Sequence, residues 1–207
     1  MNPYNQPEPY HSQWGEDRWL AENLDLPSNG TFVDVGAGDG RRGSNTLYWE
    51  SRGWTGLCVD ADPRNHAPLA RRRCEVSQHA VSATPGLRTF WMYGPRSSLS
   101  GLNVNGHGYT PVRVEVRTLA SLLQRANIDA IDLLSIDVEG TELDVWASFA
   151  PDLHRPGIVL IEYDDRVPER STARIIWALG TRYELLHRTP SNLILRRKGY
   201  PWNRSNA

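Results

Sequence analysis

Phe32-Val33-Asp34-Val35-Gly36-Ala37-Gly38-Asp39-Gly40 is an apolar, β-branched run that stops on three glycines at alternate positions. The run from Thr31 to Val35 reads as a strand. The glycines after it read as a tight turn where a ligand can touch backbone, because residues without a Cβ tolerate positive φ and close approach. Thr46 to Arg52 follows as a helical segment, with Ser44 or Asn45 placed to cap it. By itself such a turn says only that a nucleotide-like ligand meets a strand-to-helix junction. About 20 residues beyond it, at the end of a second strand from Trp54 to Asp60, stands an acid positioned to accept hydrogen bonds from ribose hydroxyls. An adenosine-containing cofactor is the expectation.

Dinucleotide proteins share this topology, but their fingerprint carries Gly or Ala where this chain has Arg41. Asp34, in the approach to the turn, would repel a pyrophosphate yet suits the ammonium group of a methionine moiety. The two acids together favour S-adenosylmethionine, with Ala61 and Val81 expected to line the same site. A simpler reading of Asp34 and Asp39, as turn-forming or capping residues, stands beside this one. An NAD-dependent oxidoreductase rests on fold analogy alone.

Outward from the turn the chain alternates between extended and helical patterns. A helix is expected from Ala67 to Arg73 and a third strand from Glu75 to Val81. Extended pieces follow at Arg88 to Met92 and Val112 to Arg117, separated by a Gly-, Ser- and Asn-rich loop from Gly94 to Gly108, long enough to be functional or mobile. Then come a helix from Leu119 to Ala126, a strand from Asp132 to Asp137, a helix from Glu142 to Phe149, and a strand from Ile158 to Tyr163. Leu133-Leu134-Ser135-Ile136 and Ile158-Val159-Leu160-Ile161 have the near-continuous apolar character of parallel strands covered on both faces. After a helix from Ala173 to Leu179, Tyr183 to His187 and Asn192 to Arg196 are joined by a link too short for a parallel crossover, so they pair antiparallel. These βα units, closed by one reversed strand, describe an open, doubly wound α/β sheet.

Bulk properties narrow the partners. The 207 residues, with no compositional break or internal repeat, suit one domain over 11–199, with a loose arm at 1–10 and a tail at 200–207. A formal net charge of −1 leaves no global field toward nucleic acid or anionic lipid. The short basic runs Arg71-Arg72-Arg73 and Arg196-Arg197-Lys198 read as solvated faces. Cys58 and Cys74 lack the spacing of a zinc site or redox motif and read as buried thiols. No stretch has the length of a membrane span or the pattern of a signal peptide, which gives a soluble, cytoplasmic expectation. Eight Trp outnumber three Phe, and most are expected in the core or at its edge.

The motifs together resemble the FkbM-type methyltransferases. The matching pieces are Ser12-Gln13-x-Gly15-Glu16-Asp17, the glycine turn with Ser44-Asn45-Thr46, Gly53-Trp54-x-Gly56-Leu57, and Ile131-Asp132-Leu133-Leu134-x-Ile136-Asp137-Val138-Glu139-Gly140-x-Glu142. They occur in order through most of the chain. The resemblance implies a class I methyltransferase (Rossmann-like) fold, with a mostly parallel seven-stranded sheet and a C-terminal antiparallel hairpin. It implies transfer of a methyl group to a hydroxyl on a sugar, glycan or other small acceptor. It also implies that Gln13 and Asp17 lie near the cofactor and that Asp34, Gly36, Gly38, Asn45 and Asp60 bind it, with Ala37 and Asp137 expected in the same site. The turn has Gly38-Asp39 where many relatives have Asn-Asp, and no appended domain indicates the acceptor.

Methyl transfer to oxygen needs the acceptor aligned and its proton removed, by a base or with help from a metal. Asp137 and Glu139 leave the fourth strand, and Glu162, Asp164 and Asp165 leave the fifth. Carboxylates on neighbouring strand ends can raise one another's pKa until one acts as a base, the favoured reading, or can bind Mg²⁺ or Ca²⁺ through Asp137, Glu162 and Asp164. Glu142 and Asp144 read as helix-start residues. Of the histidines, His107 in the long loop is the candidate base, and His79 inside the third strand reads as structural. Ser97, Ser98, Ser100, Asn103 and Asn105 suit a hydroxyl-rich ligand, and Trp91, Tyr93 and Tyr109 suit stacking on a sugar face. Two other functions remain open: methylation of a nucleotide or nucleic acid, and cofactor binding in a regulatory protein without turnover.

Overall fold

A computed structural model describes residues 9–94, 99–104 and 106–200. Helix α1 (Glu16–Asn23) precedes β1 (Thr31–Val35), α2 (Leu47–Ser51), β2 (Thr55–Val59), α3 (Pro63–Leu69) and β3 (Glu75–Ser77). A separate group, β4 (Ala80–Val81), β5 (Gly86–Tyr93) and β6 (Tyr109–Arg117), interrupts the alternation. It resumes with α4 (Leu119–Arg125), β7 (Leu133–Ile136), α5 (Glu142–Trp146), α6 (Pro151–His154) and β8 (Ile158–Glu162). Helix α7 (Thr172–Leu179) and strands β9 (Tyr183–Arg188) and β10 (Asn192–Arg197) complete it.

The main sheet has seven strands in the order β3-β2-β1-β7-β8-β10-β9. The pairs among β3, β2, β1, β7 and β8 are parallel, and β10 runs antiparallel to both β8 and β9. This is the class I methyltransferase arrangement with the expected C-terminal hairpin. The strand order reverses between β1 and β7, and the crevice beyond their carboxyl ends is where open α/β sheets bind ligands.

Strand periodicity explains why both faces are covered. Val33, Val35, Leu134, Ile136, Val159 and Ile161 join Leu119, Leu123 and Val145 in one core, while Phe32, Leu133, Ile158 and Leu160 join Leu20, Tyr48, Trp49 and Trp54 in the other. Asp34, next after Val33, therefore points into the second core, where it is buried.

The third strand differs from expectation. It stops at Ser77, and the chain crosses to a second, three-stranded sheet, β4-β6-β5, over a small core of Ala61, Ala80, Phe90, Leu102, Val114 and Val116. The helix expected at Ala67 to Arg73 begins earlier, where Asp62 caps it through a bond from Arg64 N and Pro63 opens it. In the basic run after it Arg71 and Arg73 are exposed as expected, but the Arg72 side chain is buried against Glu50 (Nε to Oε2 3.1 Å). Tyr10 packs on Tyr48 (centroids 4.9 Å apart), and Tyr200 is buried with its hydroxyl donating to Asp132 (2.7 Å), so these two residues of the expected arm and tail belong to the folded body. The rest of the arm beyond Pro9, and of the tail, lies outside the described residues. Among the described residues no helix is long and apolar enough to cross a membrane.

Candidate active site

A cleft of about 1390 Å³ opens over the carboxyl ends of β1, β2, β7 and β8. The glycine turn forms its floor. Gly36 has φ +88 and fits so closely over β7 that an added Cβ would stand 1.6 Å from the Asp137 carbonyl oxygen. Gly38 has φ +58 with open space where its Cβ would lie, and its N–H donates to Asp60 Oδ2 (2.8 Å). Asp60 Oδ1 accepts from Asp62 N and Asn65 Nδ2, each at 2.9 Å. Burial pushes this carboxyl up to about 6, against those bonds.

Asp34 is engaged by the protein itself. Its Oδ2 accepts from Thr46 Oγ1 (2.7 Å), Ser135 bonds it as well, and Arg72 supplies counter-charge, while burial pushes its carboxyl upward. Asn45 donates through Nδ2 to Ser135 Oγ (3.1 Å), leaving Asn45 Oδ1 buried without a partner. Asp34, Ser135 and Asn45 thus form a chain ending in a free acceptor on the cleft wall.

The structure brings Gln13, Asp34, Gly36, Ala37, Gly38, Asn45, Asp60, Ala61, Val81 and Asp137 to the cleft. Asp17 does not line it. Its carboxylate is buried and accepts from Ser12 Oγ (2.5 Å) and His11 N (2.7 Å), fixing the turn that carries Gln13 to the cleft. Glu16 beside it is buried, and its Oε1 accepts from Thr189 Oγ1 and Asn192 Nδ2, both at 2.9 Å, tying this segment to the β9–β10 turn.

One ligand atom from each of Asp137, Glu139 and Glu162 lies within 4.8 Å of the others. Burial, then the charges of Glu142 and Asp34, push the Asp137 carboxyl up to about 7. Burial and Asp137 push Glu139 up to about 8. Burial and the same acids raise Glu162, although Arg170 opposes the shift by donating from Nη2 to its Oε2. Arg170 Nε also faces Glu142 Oε2 at 3.3 Å, and Glu142 Oε1 accepts Gly140 N (2.8 Å). Burial is the larger cause of all three shifts, and a single guanidinium among these acids supplies little counter-charge against it. Glu139 has φ 59, in the left-handed region that non-glycine residues seldom occupy, and this turns the chain at the mouth of the cleft.

Several expected roles move. Asp164 lines the cleft but stays outside the trio: Arg166 donates to both its oxygens (2.9 and 2.8 Å) and holds its carboxyl down at about 2, so Glu139 takes the place given to Asp164 in a cation-holding set. The histidines exchange places. His107 is exposed on a turn and does not line the cleft, whereas His79 does, because the chain leaves the main sheet just before it. His79 Nδ1 is 2.9 Å from Ser77 Oγ, and Nε2 is 3.4 Å from Glu115. Of the polar loop, Ser100 lines the cleft and accepts from Tyr93 N (3.0 Å) and Arg64 Nη2 (3.1 Å), while Ser97, Ser98 and Asn105 lie outside the described residues. Trp91, Tyr93 and Tyr109 stay off the lining, which takes Phe90, Leu99 and Leu102 from this region instead. Arg170 was missed from sequence. The dense acid–base stretch before it resembles an exposed loop, and nothing in its spacing marks the fold-back through the 3₁₀ turn Pro168–Arg170.

The model of the methyltransferase FkbM domain matches residues 34–200 of the chain. Among curated proteins, the 2-O-methyltransferase NoeI of Sinorhizobium fredii is 26% identical over 171 residues, covering 72% of this chain and 69% of that protein. Among solved structures, a candidate rRNA methylase from Clostridium thermocellum superposes with a TM-score of 0.51 at 10% identity, covering 91% of this chain and 96% of the other. At that identity the likeness concerns the fold alone.

Proposed function

The chain belongs to the methyltransferase FkbM domain family, and from that premise we propose that this S-adenosylmethionine-dependent enzyme methylates a hydroxyl oxygen on a sugar, glycan or comparable small polyhydroxylated acceptor. The observation that carries the reading is the trio Asp137, Glu139 and Glu162, gathered within 4.8 Å of one another on the wall of the cleft that holds the glycine turn. The 2-O-methyltransferase name of the NoeI relative supports oxygen as the accepting atom.

The residues present fit the cofactor. Gly36 seats the turn against the Asp137 carbonyl and Gly38 leaves open space beside it, Asp60 offers carboxylate oxygens to ribose hydroxyls, and Asn45 Oδ1 is a buried acceptor suited to an ammonium group. Asp34 contributes indirectly, orienting Asn45 through Ser135. When bound, the cofactor supplies an electrophilic methyl group on a sulfonium centre.

The chain's own residues supply the rest. A carboxylate with its pKa near 7 to 8 is matched to taking a proton from a hydroxyl at neutral pH, as a much stronger acid would not be. Asp137 and Glu139 are the bases in this reading. Glu162, held by Arg170, completes the acidic wall beside them. Carboxylates outnumber arginines along the cleft, which disfavours a polyanionic acceptor such as nucleic acid and suits a polyol. The same trio has the donor chemistry for a divalent ion such as Mg²⁺, and dependence on the ion separates that variant from direct proton removal.

The test is incubation of the protein and methyl-labelled cofactor with carbohydrate and small-molecule fractions. Label is expected in a methyl ether on a hydroxylated product, and to be lost with Asp137→Asn. Label in RNA, or on nitrogen, would overturn the proposal.

A further inference from the structure

Cys58 and Cys74, unremarkable in sequence spacing, meet in the fold. Both are free thiols, and the Cys74 thiol donates to Cys58 Sγ across 3.4 Å. Cys58 lies in β2, fully buried, and Cys74 immediately precedes β3, the edge strand paired to β2. The partly buried Cys74 also forms part of the wall of a second groove, about 620 Å³, at the amino ends of β1, β2 and β3, where Thr31, Thr55, Glu75 and Asn127 surround it. That groove lies at the opposite end of the sheet from the cleft. Arg72 lies within electrostatic reach of both sulfurs. Cys58 is held as the thiol: its pairing with Cys74, burial and the Asp34 charge push its pKa up.

We infer that Cys58 and Cys74 are a modification site for thiol–disulfide exchange with a small disulfide such as oxidised glutathione, with Cys74 attacking and Cys58 resolving. Cys74 gives up its proton and attacks one sulfur of the reagent; the reagent's S–S bond breaks, one thiol departs, and a mixed disulfide remains on Cys74. Cys58 then attacks Cys74 Sγ, its proton passes to the second departing thiolate, and the Cys58–Cys74 bond forms. The two protein thiols are oxidised and the reagent is reduced to two thiols. Access sets the order, since the groove reaches Cys74 and β2 shields Cys58.

Closing the bond draws the segment carrying Arg72 toward β2. Arg72 donates to the Gly40 carbonyl (2.9 Å), Ser44 Oγ (3.2 Å) and Thr46 Oγ1 (3.1 Å), so the glycine turn is disturbed from behind. The oxidised form is expected to bind cofactor several-fold more weakly and to recover on reduction. This consequence alone rests on the methyl-transfer reading. Failure of the reduced protein to bind cofactor counts against that reading, and equal binding by both forms overturns the coupling.

The site itself is tested without cofactor. The folded protein is incubated with oxidised glutathione, then denatured, alkylated and weighed intact. Wild type is expected to carry neither alkyl group nor glutathione, having closed its own disulfide. Cys58→Ser should retain one glutathione, and Cys74→Ser, with a far-ultraviolet spectrum unchanged from wild type, should react many-fold more slowly. Two alkylated cysteines in wild type, glutathione left on wild type, or equal reactivity of the two variants would overturn the site.

Discussion

The α-carbon of Gly36 sits directly over the Asp137 carbonyl, so closely that a methyl group there would lie 1.6 Å from the oxygen. Gly36 N itself donates to Val59 O (2.9 Å) on the other side. The glycine turn and the strand end bearing Asp137 are therefore in register by contact, with no intervening side chain.

Gly36→Ala is expected to unfold or lose cofactor binding, because it adds that clash to a left-handed backbone whose strain alone costs roughly 1–3 kcal/mol. Gly38→Ala makes a contrast, since its Cβ meets no protein atom within 4 Å. It should lower stability by about 1–2 kcal/mol yet still weaken binding of S-adenosylhomocysteine, the demethylated product. Thermal melts and calorimetry on the pair separate the two effects.

Cofactor affinity should fall as pH drops through about 6, the value to which burial lifts Asp60. Ribose hydroxyls need the carboxylate, and protonation removes an acceptor. Stability runs the other way. A carboxyl raised on folding contributes stability fully below its unfolded value, and that contribution is lost as pH rises through about 6. Asp60→Asn should bind weakly with no inflection near 6, as titration calorimetry from pH 5 to 8 would detect.

Turnover should rise with pH across the interval from about 7 to about 8, where Asp137 and Glu139 lose their protons. Asp137→Asn and Glu139→Gln are each expected to lower kcat by about 10²–10⁴ if the residue replaced is the general base, with cofactor affinity nearly kept. A wild-type profile falling across that interval would remove the base assignment.

Chelation distinguishes proton removal by carboxylate from metal assistance. In the base reading, EDTA leaves the rate unchanged and added Mg²⁺ does not raise it. Loss of activity on chelation, restored by a divalent ion, would assign the trio to the ion instead.

Glu16→Ala should destabilise the protein by roughly 1.5–3 kcal/mol, because Thr189 and Asn192 lose a charged acceptor inside the fold. Hydrogen exchange should quicken in the β9–β10 turn. Unchanged exchange there would mean that the bonds do not hold the turn.

Much of the frame was legible because local signals agreed. Apolar runs such as Ile158 to Ile161 and the glycine stop after Val35 locate the central strands, and the short link at Thr189 to Ser191 fixes the hairpin. The third strand was misread because Ser77, Gln78 and His79 contain no breaker, and a crossing between sheets leaves period-two alternation intact. His79 reaches the cleft wall through that crossing, while His107 lies exposed away from it. Most of the residues expected around the cofactor line the cleft, but Arg170's pairing with Glu162 depends on the turn at Pro168, a tertiary fact that spacing does not encode. Asp17 was placed near the cofactor, yet its bonds hold Ser12 and the chain leading to Gln13.

The small β4-β6-β5 sheet supplies Phe90 to one wall of the cleft while sharing no strand with the sheet that carries the glycine turn. Mutational drift in that insert can reshape the entrance without altering the register of β1 against β7. Wall and strand register are thus built by separate sheets, so a substitution at Phe90 alters the shape of the cleft while the glycine turn keeps its place over β7.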